Sequence, residues 1–220
     1  MKRLIIILLL GFGFFQGFGQ GEEYPFAADI RQFRTNDSIN PPPQHAILFV
    51  GSSSFTRWTD VQDYFPGFII INRGFGGSTF LDVIHYAEVI VYPYLPKQVV
   101  IYCGENDLAY SDTVTVEMVA QRFITLFNLI REKLPDVKVT YVSMKPSPSR
   151  WHLAENMIAG NNNIREFILS QKNASFVNIW DDMLDMNHKP DPALFREDML
   201  HMNEKGYKIW QKAIKPELIN

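Results

Sequence analysis

Two distant segments of the chain hold the residue types of an activated serine. The segment Gly51-Ser52-Ser53-Ser54 follows an apolar run, and far downstream Asp198 stands three residues before His201. A hydroxyl is a poor nucleophile at neutral pH unless a base takes its proton, and a carboxylate that orients the base improves it. The spacing therefore indicates nucleophilic catalysis by a serine, with three adjacent serines as candidates.

The elements that must position these residues follow an alternating pattern. Continuous apolar runs predict strands that are covered on both faces, as in a parallel sheet; they lie at 46–50, 68–71, 98–103 and 137–144, with a weaker run at 175–179. Helical spacing separates them at 81–92, 116–134 and 155–171, and flanks them at 26–39 and 204–214, where Asn203 is a suitable N-cap. The pattern predicts an α/β fold: a three-layer α/β/α sandwich around a mainly parallel, flavodoxin-like sheet of about five strands.

Polar motifs follow three successive predicted strands. They are residues 51–54, 72–78 and 104–107. Each alone is explained by helix capping or a tight turn. Because the carboxyl ends of parallel strands meet at one edge of the sheet, we expect the three loops to form one site together with the Asp-x-x-His motif.

These motifs resemble the four blocks of the SGNH/GDSL hydrolase family, an esterase and lipase family named for a serine, a glycine, an asparagine and a histidine. The matching residues are Ser53, Gly77, Asn106 and His201, and the resemblance spans residues 47–207. One position differs, because Ser52 stands where the Gly-Asp-Ser-Leu signature has aspartate. Ser52 and Ser54 are expected to hydrogen-bond the loop or the start of the helix.

The resemblance implies a role for each matched residue. Ser53 is the nucleophile, His201 the general base and Asp198 the carboxylate that orients it. The backbone N–H groups of Ser53 and Gly77 and the side-chain amide of Asn106 form the oxyanion hole. The implied mechanism is ester hydrolysis through an acyl-enzyme.

Four further residues are candidates for binding substrate, because they come from near the strand ends: Arg73, Tyr102, Lys145 and Trp151. For each, the alternative is ordinary packing or a surface charge. The role of Arg150 stays open between contact with substrate and a surface charge held by a turn.

Our first hypothesis for function is an exported serine esterase acting on small acyl esters, with acetyl groups on carbohydrate as one such substrate. The alternatives are a lipase, lysophospholipase or thioesterase of the same family, or a carbohydrate-binding protein without turnover. No His-Glu-x-x-His motif is present and the other histidines lack ligand spacing, so we expect no metal and no cofactor.

The domain organisation follows from composition and charge. Residues 1–19 read as a signal peptide, with Lys2 and Arg3 before an apolar run, which indicates a secreted or periplasmic protein; an uncleaved anchor is the alternative. Residues 20–45 are expected to form a helical segment with a proline-rich lead-in, and 46–220 the hydrolase domain. Removing residues 1–19 takes the formal net charge from −3 to −5, which disfavours a nucleic-acid partner. Cys103 stands alone, and we expect it to be buried.

Overall fold

A five-stranded, all-parallel sheet forms the centre of the protein. The computed structural model describes residues 23–220, so the predicted signal segment lies outside the described residues. The strand order is β2-β1-β3-β4-β5, the flavodoxin-like order. The strands are β1 (Ile47–Gly51), β2 (Ile70–Gly74), β3 (Gln98–Tyr102), β4 (Lys138–Val142) and β5 (Ala174–Val177). The predicted parallel α/β fold is confirmed.

Eight α-helices connect or flank the strands within the described residues. Those expected from periodicity are α1 (Ala27–Ile39), α4 (Phe80–Ile90), α6 (Val116–Lys133), α7 (Ala154–Leu169) and α8 (Glu204–Ile214). The sequence analysis did not predict α2 (Ser53–Thr56), α3 (Val61–Tyr64) and α5 (Glu105–Tyr110). Helices of four to six residues are too short to show a helical repeat of apolar positions.

The sheet separates two apolar layers. In β1, Leu48 and Val50 pack with the layer that contains α1, α4, α6 and α7, whereas Ile47 and Phe49 pack with the layer that contains α2, α3 and α8. Successive side chains of a strand point to opposite faces, so a strand buried on both faces is apolar throughout. All five residues of β1 are buried. The three-layer arrangement is confirmed.

Polar caps fix the starts of helices α4 and α8. Asn203 accepts hydrogen bonds from the N–H groups of Lys205 and Gly206, which confirms the predicted N-cap of α8. Thr79 and Asp82 form a reciprocal capping box at the start of α4. Both caps lie beside segments that carry candidate catalytic residues, so they fix where those segments begin.

Helix α1 is tied to the sheet by Arg73 of β2. The Arg73 guanidinium forms an ion pair with Asp37, and its Nε donates to the Tyr94 hydroxyl at 2.7 Å.

Cys103 is buried, as expected. Among residues 23–220, no helix has both the length and the apolar content that crossing a membrane requires.

Candidate active site

The loops after β1, β2 and β3 meet at one edge of the sheet, as the sequence predicted. Gly51, the last residue of β1, is paired in register with Gly74 on one side and with Tyr102 on the other. The segments that follow these residues carry Ser53, Gly77 and Asn106. Because β1 lies between β2 and β3, its loop opens between the other two loops.

Gly51 makes the close approach of β1 and β3 possible. Its φ is +133°, and a Cβ there would lie 1.9 Å from the carbonyl oxygen of Tyr102. Only glycine fits this backbone. The turn places Ser52 at the N-cap of α2 and Ser53 at its first helical position, with the Ser53 side chain half-buried at the mouth of a cavity.

Ser53, His201 and Asp198 form one chain of hydrogen bonds. The Ser53 Oγ lies 3.0 Å from the His201 Nε2, and the His201 Nδ1 lies 2.7 Å from the Asp198 Oδ2. The other carboxylate oxygen of Asp198 accepts from the N–H groups of Leu200 and His201 at 3.0 and 2.9 Å. These distances are those of a nucleophile, a base and an orienting carboxylate.

The protonation states of the pair suit a general base. Loss of hydration opposes ionisation of Asp198, yet hydrogen bonds from His201 and Leu200 outweigh it and hold the pKa of this carboxyl well below its usual value. Partial burial lowers the pKa of His201; the Asp198 contact opposes this shift and the nearby Arg57 adds to it. The imidazole is therefore neutral at neutral pH and free to accept a proton.

Three hydrogen-bond donors surround the same cavity. Within residues 23–220, neither the Ser53 N–H nor the Gly77 N–H donates to a protein acceptor. The third donor is the Asn106 amide, whose Nδ2 donates to the Ser52 hydroxyl at 2.6 Å and to the Ser78 carbonyl at 3.0 Å. Two free backbone donors beside the Ser53 hydroxyl are the requirement for binding a developing oxyanion.

A buried ionic cluster supports Asn106 from behind. Arg150 donates from Nη2 to the Asn106 Oδ1 at 2.9 Å and from Nη1 to the Glu105 Oε1 at 3.1 Å. Lys145, with only 1% of its surface exposed, donates to both carboxylate oxygens of Glu105 at 3.0 and 2.9 Å. The Tyr102 hydroxyl donates to the same carboxylate. These contacts fix the plane of the Asn106 amide.

The Glu105 carboxylate is ionised in this cluster. Its burial opposes ionisation, but Lys145 and Arg150 outweigh this and lower the pKa of Glu105. A buried carboxylate is stable only when it is paired and hydrogen-bonded in this way. Two cations face one anion, so the cluster carries a net positive charge directly behind the candidate oxyanion donor.

The cavity itself has a volume of about 460 Å³. Its lining combines the catalytic candidates with small and cationic side chains: Ser53, Thr56, Arg57, Gly76, Gly77, Asn106, Arg150, Leu200 and His201. No group of three or more potential metal ligands of the His, Cys, Asp or Glu type occurs in the part of the chain that the structure describes.

The four residues proposed from the sequence to bind substrate do not line this cavity. Tyr102 and Lys145 are buried and engaged with Glu105, so direct contact with substrate is corrected to a supporting contact. Arg73 is engaged with Asp37 and Tyr94 on the side of α1. The Trp151 ring lies 6.2 Å from the Trp180 ring and beneath the Lys189 ammonium. The described contacts of these last two side chains are with neighbouring residues of the fold, outside the lining of the catalytic cavity.

Sequence reasoning missed two residues of the site. Arg57 lies four residues after Ser53 and lines the cavity. It follows a short helix that the sequence analysis did not predict, so no pattern in the sequence indicated its position at the site. Glu105 precedes Asn106 in the third block, and its adjacency to a matched residue was the one available indication. Ser52, expected to support the loop, accepts the hydrogen bond from Asn106.

Comparisons with known proteins concern the family and the fold. The model of the GDSL-like lipase/acylhydrolase family matches residues 40–209. A search of curated proteins finds no match. A GDSL-like lipase from Bacteroides thetaiotaomicron superposes with a TM-score of 0.73 at 22% identity, covering 86% of this chain and 97% of that one.

Two carbohydrate esterases share the fold as well. A catalytic mutant of the acetylxylan esterase Axe2 from Geobacillus stearothermophilus has a TM-score of 0.62 at 18% identity, covering 80% of this chain and 94% of that one. The acetyl xylan esterase AlAXEase has a TM-score of 0.66 at 17% identity, covering 79% and 100%. At these identities the likeness concerns the fold. Because the family model matches well over half of the sequence, the chain belongs to the GDSL-like lipase/acylhydrolase family of ester-hydrolysing enzymes.

Proposed function

We propose that the protein is an exported serine esterase that hydrolyses small acyl esters, with acetyl groups on carbohydrate as the favoured substrate class. One observation carries the proposal. The Ser53 hydroxyl lies 3.0 Å from the His201 Nε2 at the mouth of a cavity, and two unused backbone N–H groups face the same space. A binding protein needs no such set of nucleophile, base and oxyanion donors.

The reaction proceeds through an acyl-enzyme. Ser53 attacks the ester carbonyl while His201 accepts its proton, and the imidazolium is stabilised by Asp198. The carbon–oxygen bond to the alcohol then breaks as His201 returns the proton to the departing oxygen. Water repeats the sequence: His201 takes a proton from water, the hydroxide attacks the acyl-enzyme, and the Ser53 hydroxyl is restored as the acid is released.

The oxyanion is bound by the N–H groups of Ser53 and Gly77 and by the Asn106 amide. Each donor of this kind contributes roughly 3–4 kcal/mol to lowering the barrier. Both hydrogens of the Asn106 Nδ2 are engaged, one by the Ser52 hydroxyl and one by the Ser78 carbonyl, so the carbonyl oxygen of the substrate takes the place of the Ser52 hydroxyl as acceptor. The net positive cluster behind Asn106 adds a favourable field for negative charge on the carbonyl oxygen.

The size and lining of the catalytic cavity favour small acyl groups. A volume of about 460 Å³ has to hold both the acyl group and the alcohol next to the scissile bond. The alternative is a lipase, lysophospholipase or thioesterase. The observation that favours this alternative is a second, largely apolar cavity of about 380 Å³ that also touches Gly77 and that a longer acyl chain would occupy.

Hydrolysis of p-nitrophenyl esters of increasing acyl length tests the proposal. We expect kcat/KM to be highest for acetate and to fall by about tenfold or more by octanoate. Ser53→Ala should abolish turnover. Ser54→Ala, which removes the neighbouring buried hydroxyl, is the matched control and should retain turnover. A maximum at octanoate or longer would discard the small-acyl proposal in favour of the lipase.

Export is tested on the mature protein in its own cells. The basic start and apolar run of residues 1–19 are the support for it. We expect the protein in the periplasmic or culture fraction with Gln20 as its first residue. An intact N-terminus in the cytoplasmic fraction would rule export out, and in the membrane fraction it would identify an uncleaved anchor.

A further inference from the structure

A second cavity lies on the other side of Gly77 from Ser53. It has a volume of about 380 Å³, and Gly77 lines both this cavity and the catalytic one. The remaining walls come from the segment 24–26 ahead of α1, from the start of α4, from Tyr110 at the end of α5 and from Arg122 of α6. The two cavities therefore adjoin at Gly77.

The N-terminal wall is held in place by contacts with α4. The Tyr86 hydroxyl lies 3.2 Å from the carbonyl oxygen of Tyr24 and 2.9 Å from that of Pro25, and donates to them. The Tyr24 ring stacks on the His85 ring at 3.6 Å. The Phe26 ring packs edge-on against Phe75 at 5.3 Å. This wall is pre-formed, which lowers the entropy cost of binding a ligand against it.

Two large apolar side chains face solvent at this cavity. Tyr110 is 81% exposed and Leu81 is 46% exposed. Neither contributes to the core, so packing does not explain their position. An exposed aromatic ring beside a catalytic cavity offers a flat apolar surface for a ring-shaped ligand.

Polar groups at the edge of the cavity decide what that ligand is. Asp82 accepts at Oδ2 from the Thr79 N–H and hydroxyl, and its carboxylate also interacts with the neighbouring Tyr24 hydroxyl. Arg122 donates a hydrogen bond from Nη1 to the Asp107 Oδ1 at 2.9 Å, and its Nη2 and Nε donate to no protein acceptor in residues 23–220. The edge of the cavity therefore offers a carboxylate, which can accept further hydrogen bonds, and several free guanidinium donors.

A fatty acyl chain fits this combination poorly. It would remove water from a carboxylate and a guanidinium without replacing their hydrogen bonds, which carries a high free-energy cost. A sugar ring fits both features, because its C–H face packs on an aromatic ring while its hydroxyls donate and accept at the rim. The exposed Tyr110 ring, the Asp82 carboxylate and the free donors of Arg122 together match a pyranose.

We propose that this second cavity is a carbohydrate subsite that binds the sugar unit adjacent to the one carrying the scissile ester. The inference rests on the proposed esterase function and extends it: the substrate is an acylated oligosaccharide or polysaccharide, not an isolated acylated sugar. Tyr110 supplies the stacking surface, and Asp82 and Arg122 bind the hydroxyls.

The test measures kcat/KM on acetylated oligosaccharides, on the matching acetylated monosaccharides and on p-nitrophenyl acetate. The oligosaccharides and monosaccharides come from three series, built on xylose, glucose and N-acetylglucosamine. The wild type should prefer the oligosaccharide in at least one series. Tyr110→Ala should lower the ratio of kcat/KM for that oligosaccharide to kcat/KM for p-nitrophenyl acetate by about three- to tenfold. Leu169→Ala, which truncates an exposed leucine on α7 far from the cavity lining, should leave the ratio unchanged.

Two results would overturn the subsite. One is a wild type without preference for any oligosaccharide, or a Tyr110→Ala ratio equal to that of wild type. The other is a selective loss of p-nitrophenyl octanoate hydrolysis in Tyr110→Ala, which would assign the cavity to an acyl chain. Either result leaves the esterase proposal intact as long as wild type hydrolyses p-nitrophenyl acetate; failure on every ester would remove the esterase proposal itself.

Discussion

Replacing Arg150 by methionine should slow catalysis although Arg150 is not a proposed nucleophile, base or oxyanion donor. Its guanidinium holds the Asn106 Oδ1 at 2.9 Å, and within residues 23–220 no other side chain donates to that oxygen. Without it, the amide can rotate and direct its Nδ2 away from the carbonyl oxygen of the substrate. Glu105 keeps Lys145 as a partner, so the variant should fold.

The expected loss follows from the contact that is removed. A hydrogen bond to a charged group contributes about 1.5–3 kcal/mol, which corresponds to a roughly 10- to 150-fold lower kcat. Complete loss of one oxyanion donor sets the upper limit at about 100- to 1000-fold. Because the Asn106 contact strengthens as charge develops, kcat and kcat/KM should fall together while KM changes little. Arg150→Lys should recover only part of the rate. A lysine keeps the positive charge, but it lacks the planar guanidinium that bonds Glu105 and Asn106 at the same time.

A double-mutant cycle with Asn106→Ala decides whether Arg150 acts through Asn106. Kinetics of p-nitrophenyl acetate hydrolysis would be measured for both single variants and the double variant, with thermal unfolding as a check on folding. In the Asn106→Ala background, Arg150→Met should cost less than about twofold. An undiminished cost in that background would refute the reasoning and indicate that Arg150 meets the substrate directly. Arg165→Met, an exposed arginine on α7, is the matched control.

Three further predictions concern the same site. His201→Ala should abolish measurable turnover of p-nitrophenyl acetate, whereas Asp198→Asn should keep a residual rate because the oxyanion donors persist; equal activity in the His201 variant would remove it from the base role. The acid limb of the kcat/KM profile should have its midpoint below the ordinary pKa of histidine, because burial lowers the pKa of His201. Arg57→Gln removes a nearby cation, so the imidazole gains a proton more readily and the limb should move to higher pH; a shift to lower pH would contradict this assignment. Lys145→Met should lower the free energy of unfolding in urea by about 3–5 kcal/mol at neutral pH, because Glu105 loses its buried partner. The lowered pKa of Glu105 means that its ion pairs stabilise the fold above the unfolded pKa of the carboxyl, so this loss should shrink on acidification, and a constant loss would argue against ion pairing.

The sequence predicted the parallel sheet and the proximity of Ser53, Asn106 and His201 because these rest on local signals. Apolar runs mark buried strands, and the loops after parallel strands share one edge by topology. Local signals did not predict the direction of the Lys145 side chain in the proline-rich loop after β4. A lysine in such a loop suggests a surface charge, yet Lys145 turns inward to Glu105, 40 residues away in the sequence.

The partner of Arg73 was also not predictable from the sequence. Its place next to the glycine loop suggested a contact with substrate, whereas its partner is Asp37, 36 residues earlier and on α1. Which way a long charged side chain turns depends on tertiary neighbours that leave no periodic signal in the sequence. The location of the site was therefore predictable, but not the ionic contacts that support it or the second cavity formed by Tyr24 and Phe26.

Labelling with a fluorophosphonate probe, followed by peptide mapping, tests the central claim most directly. The reagent reacts with a serine hydroxyl only where a base and oxyanion donors activate it. The account predicts a single modified residue, Ser53, with labelling lost in Ser53→Ala and in His201→Ala but retained in Ser54→Ala. Modification of Ser52 or Ser54, or full ester hydrolysis by a protein that the probe leaves unlabelled, would contradict it.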